Sequence, residues 1–179
     1  MNEYKRVVPE LLRKNPFQII GKDWMLITAG DETKVNTMTA SWGGLGVMYG
    51  KNVAYIFIRP QRYTKEFVDR EDTFSLCFFD KGYKKTLSYL GTVSGRNEDK
   101  IAKSKLTVVR YEDTPYFDEA RLVFICKKLF KQALNTDGLL NEQMKQSFYP
   151  SGDNHTLYIA EILDVLQIRN RTDSESQLN

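Results

Sequence analysis

Arg59 and Arg62 stand three residues apart in Arg59-Pro60-Gln61-Arg62-Tyr63-Thr64, directly after the apolar run Val53-Ala54-Tyr55-Ile56-Phe57-Ile58. Two guanidinium forks match paired phosphate oxygens, and the Tyr63 and Thr64 hydroxyls add shorter single bonds. A helix opening at Thr64-Lys65-Glu66-Phe67-Val68 would aim its first amides at the same place. This is the chemistry of a phosphate-sized anion site. The plainer alternative is a solvated turn whose arginines pair with surface acids.

A second segment, Asn36-Thr37-Met38-Thr39-Ala40-Ser41-Trp42, is dense in short amide and hydroxyl groups and runs into Gly43-Gly44. Small residues let main-chain donors and acceptors approach a planar ring, and alternating edge contacts of that kind fit a flavin. The alternative is a polar β-turn with one packed tryptophan. Ser94-Gly95-Arg96, with Lys100 further along, offers another phosphate-sized cradle. It is no P-loop, and the GxGxxG spacing is absent. His155 is the single histidine of the chain and follows Gly152-Asp153-Asn154 in a loop that begins at Tyr149-Pro150-Ser151. It suits either a donor to a flavin or nicotinamide, or a local turn hydrogen bond. No ligand cluster for a metal is legible, and GxSxG is missing.

These segments need strands to hold them. Trp24 to Ala29, Asn36 to Trp42, Val53 to Ile58, Thr73 to Phe79, Leu106 to Arg110, Ala120 to Phe130 and His155 to Leu166 all read as extended. Near-continuous apolar text over Val53 to Ile58 implies cover on both faces. Ala29-Gly30-Asp31-Glu32 reads as a turn, and strand text stops at Arg59-Pro60 because proline has no ladder donor. Short helices are expected at Thr64 to Val68, Lys84 to Leu90 and Asn97 to Lys103, with helical or mixed structure from Leu139 to Phe148. Regular strand–helix alternation is missing, which favours a barrel over a doubly wound sheet.

The whole chain bounds the rest. Its 179 residues suit one domain, and 41% apolar with 12% aromatic residues fill a core. The net charge of +3 comes from interleaved signs, which helps a small anion approach and does not call for nucleic acid. Cys77 and Cys126 lie in apolar strand text without CxxC spacing and read as buried thiols of a cytoplasmic protein. No apolar stretch reaches the roughly 18 residues of a membrane span. The expected organisation is an arm at 1–15, a domain at 16–170 and a flexible polar tail at 171–179.

In this order, Asn36–Gly44, Arg59–Thr64, Ser94-Gly95-Arg96 with Asp99-Lys100, and Gly152-Asp153-Asn154-His155 with Tyr158-Ile159 resemble the flavin reductase-like family. The resemblance spans roughly residues 16 to 166. It implies a mainly β fold, an FMN-binding split β-barrel of six strands in Greek-key order with peripheral short helices, and a homodimer with FMN near the subunit boundary. By the same resemblance, Thr37 to Trp42 run along the ring and ribityl chain. Arg59, Arg62 and Thr64 hold the phosphate, with Tyr63 beside them, and Ser94, Gly95, Arg96 and Lys100 close around it. His155 sits where the electron donor or acceptor approaches. The implied activity is NAD(P)H-dependent flavin reduction, hydride passing from NADH or NADPH to FMN and electrons onward to a small-molecule or protein acceptor. Two alternatives stay open: a non-catalytic FMN-binding carrier or sensor, and a cofactor-free barrel that binds nucleic acid or protein. Pyridoxal- or haem-related chemistry on the same general fold is a third. Ala160 stands where the family pattern suggests glycine, and its methyl narrows that approach.

Overall fold

The structure, a computed structural model, describes residues 1–169. The expected tail at 171–179 therefore lies outside the described residues. The fold is mainly β. Strands β1 (Tyr4–Arg6), β2 (Met25–Gly30), β3 (Val35–Ala40), β4 (Gly43–Met48), β5 (Lys51–Ile58), β6 (Thr73–Phe78), β7 (Val108–Tyr111), β8 (Thr114–Phe117), β9 (Leu122–Ala133) and β10 (Thr156–Ile168) form its frame. Helices α1 (Pro16–Gln18), α2 (Thr64–Arg70), α3 (Lys84–Thr92), α4 (Lys100–Ser104) and α5 (Glu142–Phe148) lie between them.

One antiparallel sheet runs β3-β2-β6-β9-β10-β5-β4, with β1 on β10, and β7-β8 make a separate hairpin. The main sheet thus has eight strands rather than the expected six, and no ladder joins β3 to β4 among the described residues. Two strands account for the difference. The arm contributes β1, with Tyr4 opposite Ile168. The glycine text after Trp42 is not a terminus but β4, paired with β5 from Gly43↔Ile56 to Met48↔Lys51. Glycine is needed there because Tyr55 lies against the strand: a Cβ on Gly46 would stand 3.0 Å from the Tyr55 hydroxyl, and one on Gly43 only 2.5 Å from the Tyr55 carbonyl oxygen.

The sheet is covered on both faces, which explains its continuous apolar text. Along β9, Leu122, Phe124 and Cys126 enter one core with Ile27, Phe74 and Tyr158. Val123 and Ile125 enter a second core with Leu26, Cys77, Leu87, Leu90 and Phe117. Successive side chains point to opposite faces, so both are filled from one strand. Both cysteines are free and buried. Burial pushes the Cys77 thiol up to about 11, so it packs as an inert hydrophobe. The β9–β10 ladder shifts register between Ile159 and Ala160 and again between Ile162 and Asp164, and such bulges bend a strand. Ala160 is fully buried opposite Ala54 of β5. Among the described residues no helix is long and apolar enough to cross a membrane.

Candidate functional site

The turn after β5 leads into α2 and carries Arg59 and Arg62. The two side chains part at once. Arg62 is half-buried and its Nη1 donates to the Gly91 carbonyl oxygen, 2.6 Å away, at the end of α3. Lys100 opens α4 behind the Asp99 side chain, which caps the helix by accepting from the Ala102 amide at 3.0 Å. The Lys100 Nζ donates to Leu90 O at 2.8 Å and to Val93 O at 2.9 Å. Both cations thereby tie off carbonyls at the C-terminal end of α3, where positive charge is favoured. Lys100 is 3% exposed. Neither cation meets a carboxylate in a salt bridge among the described residues. Burial, then the neighbouring Arg59, lowers Arg62. Burial, then Arg62, lowers Lys100 to about 8. A buried and a half-buried like charge without a counter-ion are costly, and buried charges are ordinarily paired.

Six more predicted residues join this end. Asn36 on β3 is buried, and its Nδ2 donates to Thr64 Oγ1 at 3.0 Å, linking the sheet edge to the first turn of α2. Gly95 fits against both: a Cβ there would lie 2.3 Å from Asn36 Oδ1 and 3.3 Å from Tyr63 Cδ1. The Tyr63 ring has the Arg96 guanidinium 4.6 Å from its centre, and its hydroxyl accepts from Lys34 Nζ at 3.0 Å. Ser94 Oγ accepts from the Arg96 amide at 3.2 Å, while the Arg96 side chain donates to Gln61 O at 3.1 Å and pairs with Glu66. A cavity of about 380 Å³ opens here, lined by Lys34, Asn36, Gly95 and Lys100.

The remaining side chains of the 36–42 segment are divided. Thr37 is fully buried, bonded to Thr28 Oγ1 at 2.9 Å and to Ile27 O at 3.1 Å. Met38 and Ala40 belong to the core. Thr39 Oγ1 donates to Leu87 O and docks α3 on β3. Ser41 and Trp42 are exposed. β3 nevertheless ends the sheet path. An end strand leaves one row of main-chain donors and acceptors outside the ladder.

The second end of the site is the loop before β10. Arg59, unlike Arg62, has a carboxylate: its Nη1 donates to Asp153 Oδ2 at 2.5 Å and its Nη2 to Phe148 O at 2.8 Å. Gln61 Nε2 donates to the same Asp153 oxygen at 2.9 Å. Asp153 is held below the usual carboxylate range by the hydrogen bonds from Gln61 and Arg59. The Tyr149 ring packs 5.4 Å from the Arg59 guanidinium, and its hydroxyl lies 2.9 Å from His155 Nδ1. Trp42 packs on His155 with ring centres 4.8 Å apart and on Phe148 at 5.3 Å. Burial first, then Arg59, lowers His155 to about 4, with Asp153 opposing and Arg62 assisting. His155 is therefore neutral at neutral pH. Arg62 acts on it through the same field that it shares with Lys100, so the two ends adjoin. An apolar groove of about 570 Å³ runs from Trp42 along Gly43, Gly44 and Phe57 to Phe17 and Ile20.

Sequence reasoning missed Asp153, Tyr149, Lys34 and Asn154 as members of the site. Asn154 Oδ1 is buried with no donor among the described residues. Asp153 meets Arg59 across a separation of 94 residues, which no local spacing reveals. Gly152-Asp153-Asn154-His155 was visible as a motif, but which of its side chains turn inward was not.

The sequence model of the Flavin reductase like domain matches residues 20–178. Flavoredoxin of Desulfovibrio vulgaris (Miyazaki F) superposes with a TM-score of 0.63 at 23% identity, over 82% of this chain and 69% of that one. Flavoredoxin from Methanosarcina acetivorans gives 0.63 at 21%, over 80% and 67%. The FMN-binding protein from Thermus thermophilus with bound p-hydroxybenzaldehyde gives 0.65 at 19%, over 93% and 80%. No curated protein matches the chain. The solved structures carry the fold, and the family match covers most of the sequence: the chain belongs to the flavin reductase-like family.

Proposed function

We propose that the protein binds FMN and catalyses NAD(P)H-dependent flavin reduction, passing electrons to a small-molecule or protein acceptor. The observation that carries the reading is half-buried Arg62 beside buried Lys100, two cations with carbonyl partners and no carboxylate salt bridge among the described residues. A phosphate is the counter-ion such a pair calls for. Thr64 and Asn36 flank it, and Gly95 keeps side-chain volume out of the cradle. Tyr63 and Arg96 form its outer wall.

FMN, when bound, supplies the redox chemistry, while the protein binds, orients and tunes. The outer edge of β3 offers main-chain groups along 36–42 to the edge of a planar ring. Trp42 and the adjoining groove offer an apolar surface to its face. His155, kept neutral by burial and by Arg59, holds a proton on its ring without adding a charge beside a hydride donor. Arg59 holds the 148–155 loop through Asp153, which excludes water from the loop side of the site. No protein nucleophile takes part.

The exposed Phe17, Val47 and Tyr49 suit a homodimer completed by a second copy, and buried free thiols suit a cytoplasmic setting. In the same reading the main sheet curls towards the split barrel of the family, and residues 16–170 act as one FMN-binding domain.

The test is the visible spectrum of the purified protein before and after added FMN, followed by NADH and NADPH oxidation with and without FMN. Flavin bands that shift on binding, with turnover, support the reading. A protein that gains no spectral or fluorescence change with FMN sinks it, and binding without turnover leaves a carrier or sensor.

A further inference from the structure

Tyr149 has no role in the reading above, yet its hydroxyl touches His155. Its hydroxyl lies 2.9 Å from His155 Nδ1. The ring is boxed by Trp42, tilted 31° at 4.8 Å, and by the Tyr149 ring edge-on at 5.6 Å. The other imidazole nitrogen, Nε2, makes no hydrogen bond to protein among the described residues, although His155 is only 8% exposed. One nitrogen is thus fixed and the other left for a ligand.

The direction of the fixed bond follows from acid–base strength. A phenol is a stronger donor than a neutral imidazole N–H, and a bare imidazole nitrogen is a stronger acceptor than a phenol oxygen. The Arg59 guanidinium, 5.4 Å from the Tyr149 ring centre, polarises the O–H further. Burial keeps that phenol protonated. The charged groups facing the imidazole are Arg59 and Arg62 from the turn after β5, and Asp153 from its own loop. The two arginines favour the neutral ring, and Asp153 is itself engaged by Arg59 and Gln61.

We infer that Tyr149 is a positioning residue: it donates to His155 Nδ1, fixes the Nε2–H tautomer, and so presents a neutral N–H donor to a carbonyl oxygen of the bound ring ligand. The ligand part of this inference rests on the flavin reading; the tautomer part does not. The accepting carbonyl belongs either to the flavin ring or to the carboxamide of the hydride donor.

Because the chain has a single histidine, long-range proton–nitrogen spectra of the ¹⁵N-labelled, flavin-free full chain at pH 7 report its tautomer without assignment. The expected result is a protonated Nε2 and a bare Nδ1. A predominant Nδ1–H tautomer in the unaltered protein overturns the inference, and this measurement needs no variant. In Tyr149→Phe the tautomer preference is expected to fall about fivefold to tenfold, the worth of one hydrogen bond. The rate of NADH oxidation per bound FMN is expected to fall with the Nε2–H fraction, and flavin affinity to stay within about twofold of the unaltered protein where the carboxamide is the acceptor. An unchanged tautomer ratio in that variant overturns the role of Tyr149. Adding FMN alone shifts the Nε2 resonance if the flavin carbonyl accepts, and a shift only after NAD⁺ is also added assigns the acceptor to the carboxamide. No shift in either case overturns the presentation of Nε2–H. If FMN fails to bind at all, the flavin reading fails, while the tautomer spectra of the ligand-free chain still decide for or against Tyr149.

Discussion

Arg59 and Arg62 leave the same turn and end in opposite surroundings. Arg59 reaches the 148–155 loop, where Asp153 and the Phe148 carbonyl receive it and Tyr149 packs on it. There charge meets charge, and Arg59 ties the loop down. Arg62 reaches the end of α3, where it and Lys100 find carbonyl oxygens but no carboxylate salt-bridge partner among the described residues. That region carries an excess of positive charge, buried at Lys100 and half-buried at Arg62, with no carboxylate salt bridge among the described residues. The contrast teaches that two arginines of one motif can take different partners: one holds the loop, and the other, beside Lys100, ends on helix carbonyls, where the proposed phosphate would sit.

The most severe way to break this contrast is Arg62→Ala. FMN affinity should fall roughly 100-fold, as expected for losing a charge-assisted partner of a buried phosphate, worth about 3 kcal/mol. Riboflavin, which lacks the phosphate, should weaken less than about threefold on the same estimate. Fluorescence titration of both flavins separates the outcomes, and equal weakening would count against Arg62 as the phosphate partner.

Acid stability probes the loop end. The folded-state pKa of His155 is lowered to about 4, against about 6.5 in the unfolded chain. Between those values the unfolded state binds a proton that the folded state refuses, so stability rises with pH across that window and is unaffected above it. The difference between the two values sets an upper bound of about 3 kcal/mol, which solvent screening reduces to roughly 2. Denaturant midpoints from pH 4 to 7 should show this slope, and His155→Gln should flatten it.

Gly95→Ala sharpens the geometry of the phosphate end. The new methyl would stand 2.3 Å from Asn36 Oδ1, so Asn36 must give way and its bond to Thr64 suffers. A loss of about 1–2 kcal/mol in stability, with weaker FMN binding, is expected from such crowding. Thermal unfolding and flavin titration check both. Asp153→Asn should have the smallest effect, because ion pairs open to solvent contribute little. It loosens the loop, so FMN and riboflavin should weaken by the same factor. A loss confined to FMN would place the phosphate at Arg59 instead.

Much of the frame was legible in sequence because period and propensity are local. The strands over Val53 to Ile58 and Thr73 to Phe79 stand close to β5 and β6, and the turn at Arg59-Pro60 falls at the end of β5. β4 was not legible, since glycine-rich text such as Gly43-Gly44 carries little strand propensity. Only the Tyr55 ring lying against that strand shows why glycine serves there. β8, Thr114–Phe117, was hidden by Pro115 within it. At the site, residue types pointed to the right neighbourhoods, while side-chain direction did not follow from them. Thr37 turns into the sheet to bond Thr28, and Thr39 turns to dock α3. Which arginine would meet an acid depended on a partner 94 residues away, a distance over which sequence spacing says nothing.

The central claim, that an anion completes the Arg62–Lys100 pair, is tested most directly by the protons that flavins take up. Lys100 is lowered to about 8 in the free protein, so near pH 9 it is mostly neutral. A phosphate beside it raises that value and draws a proton in. FMN, whose phosphate is fully ionised at this pH with a second pKa of about 6, should bind with uptake of roughly 0.5–1 proton. Calorimetry at pH 9 in two buffers of different ionisation enthalpy measures this number. Proton uptake with FMN and none with riboflavin is the predicted result; no uptake with FMN, or equal uptake with both, would contradict the account.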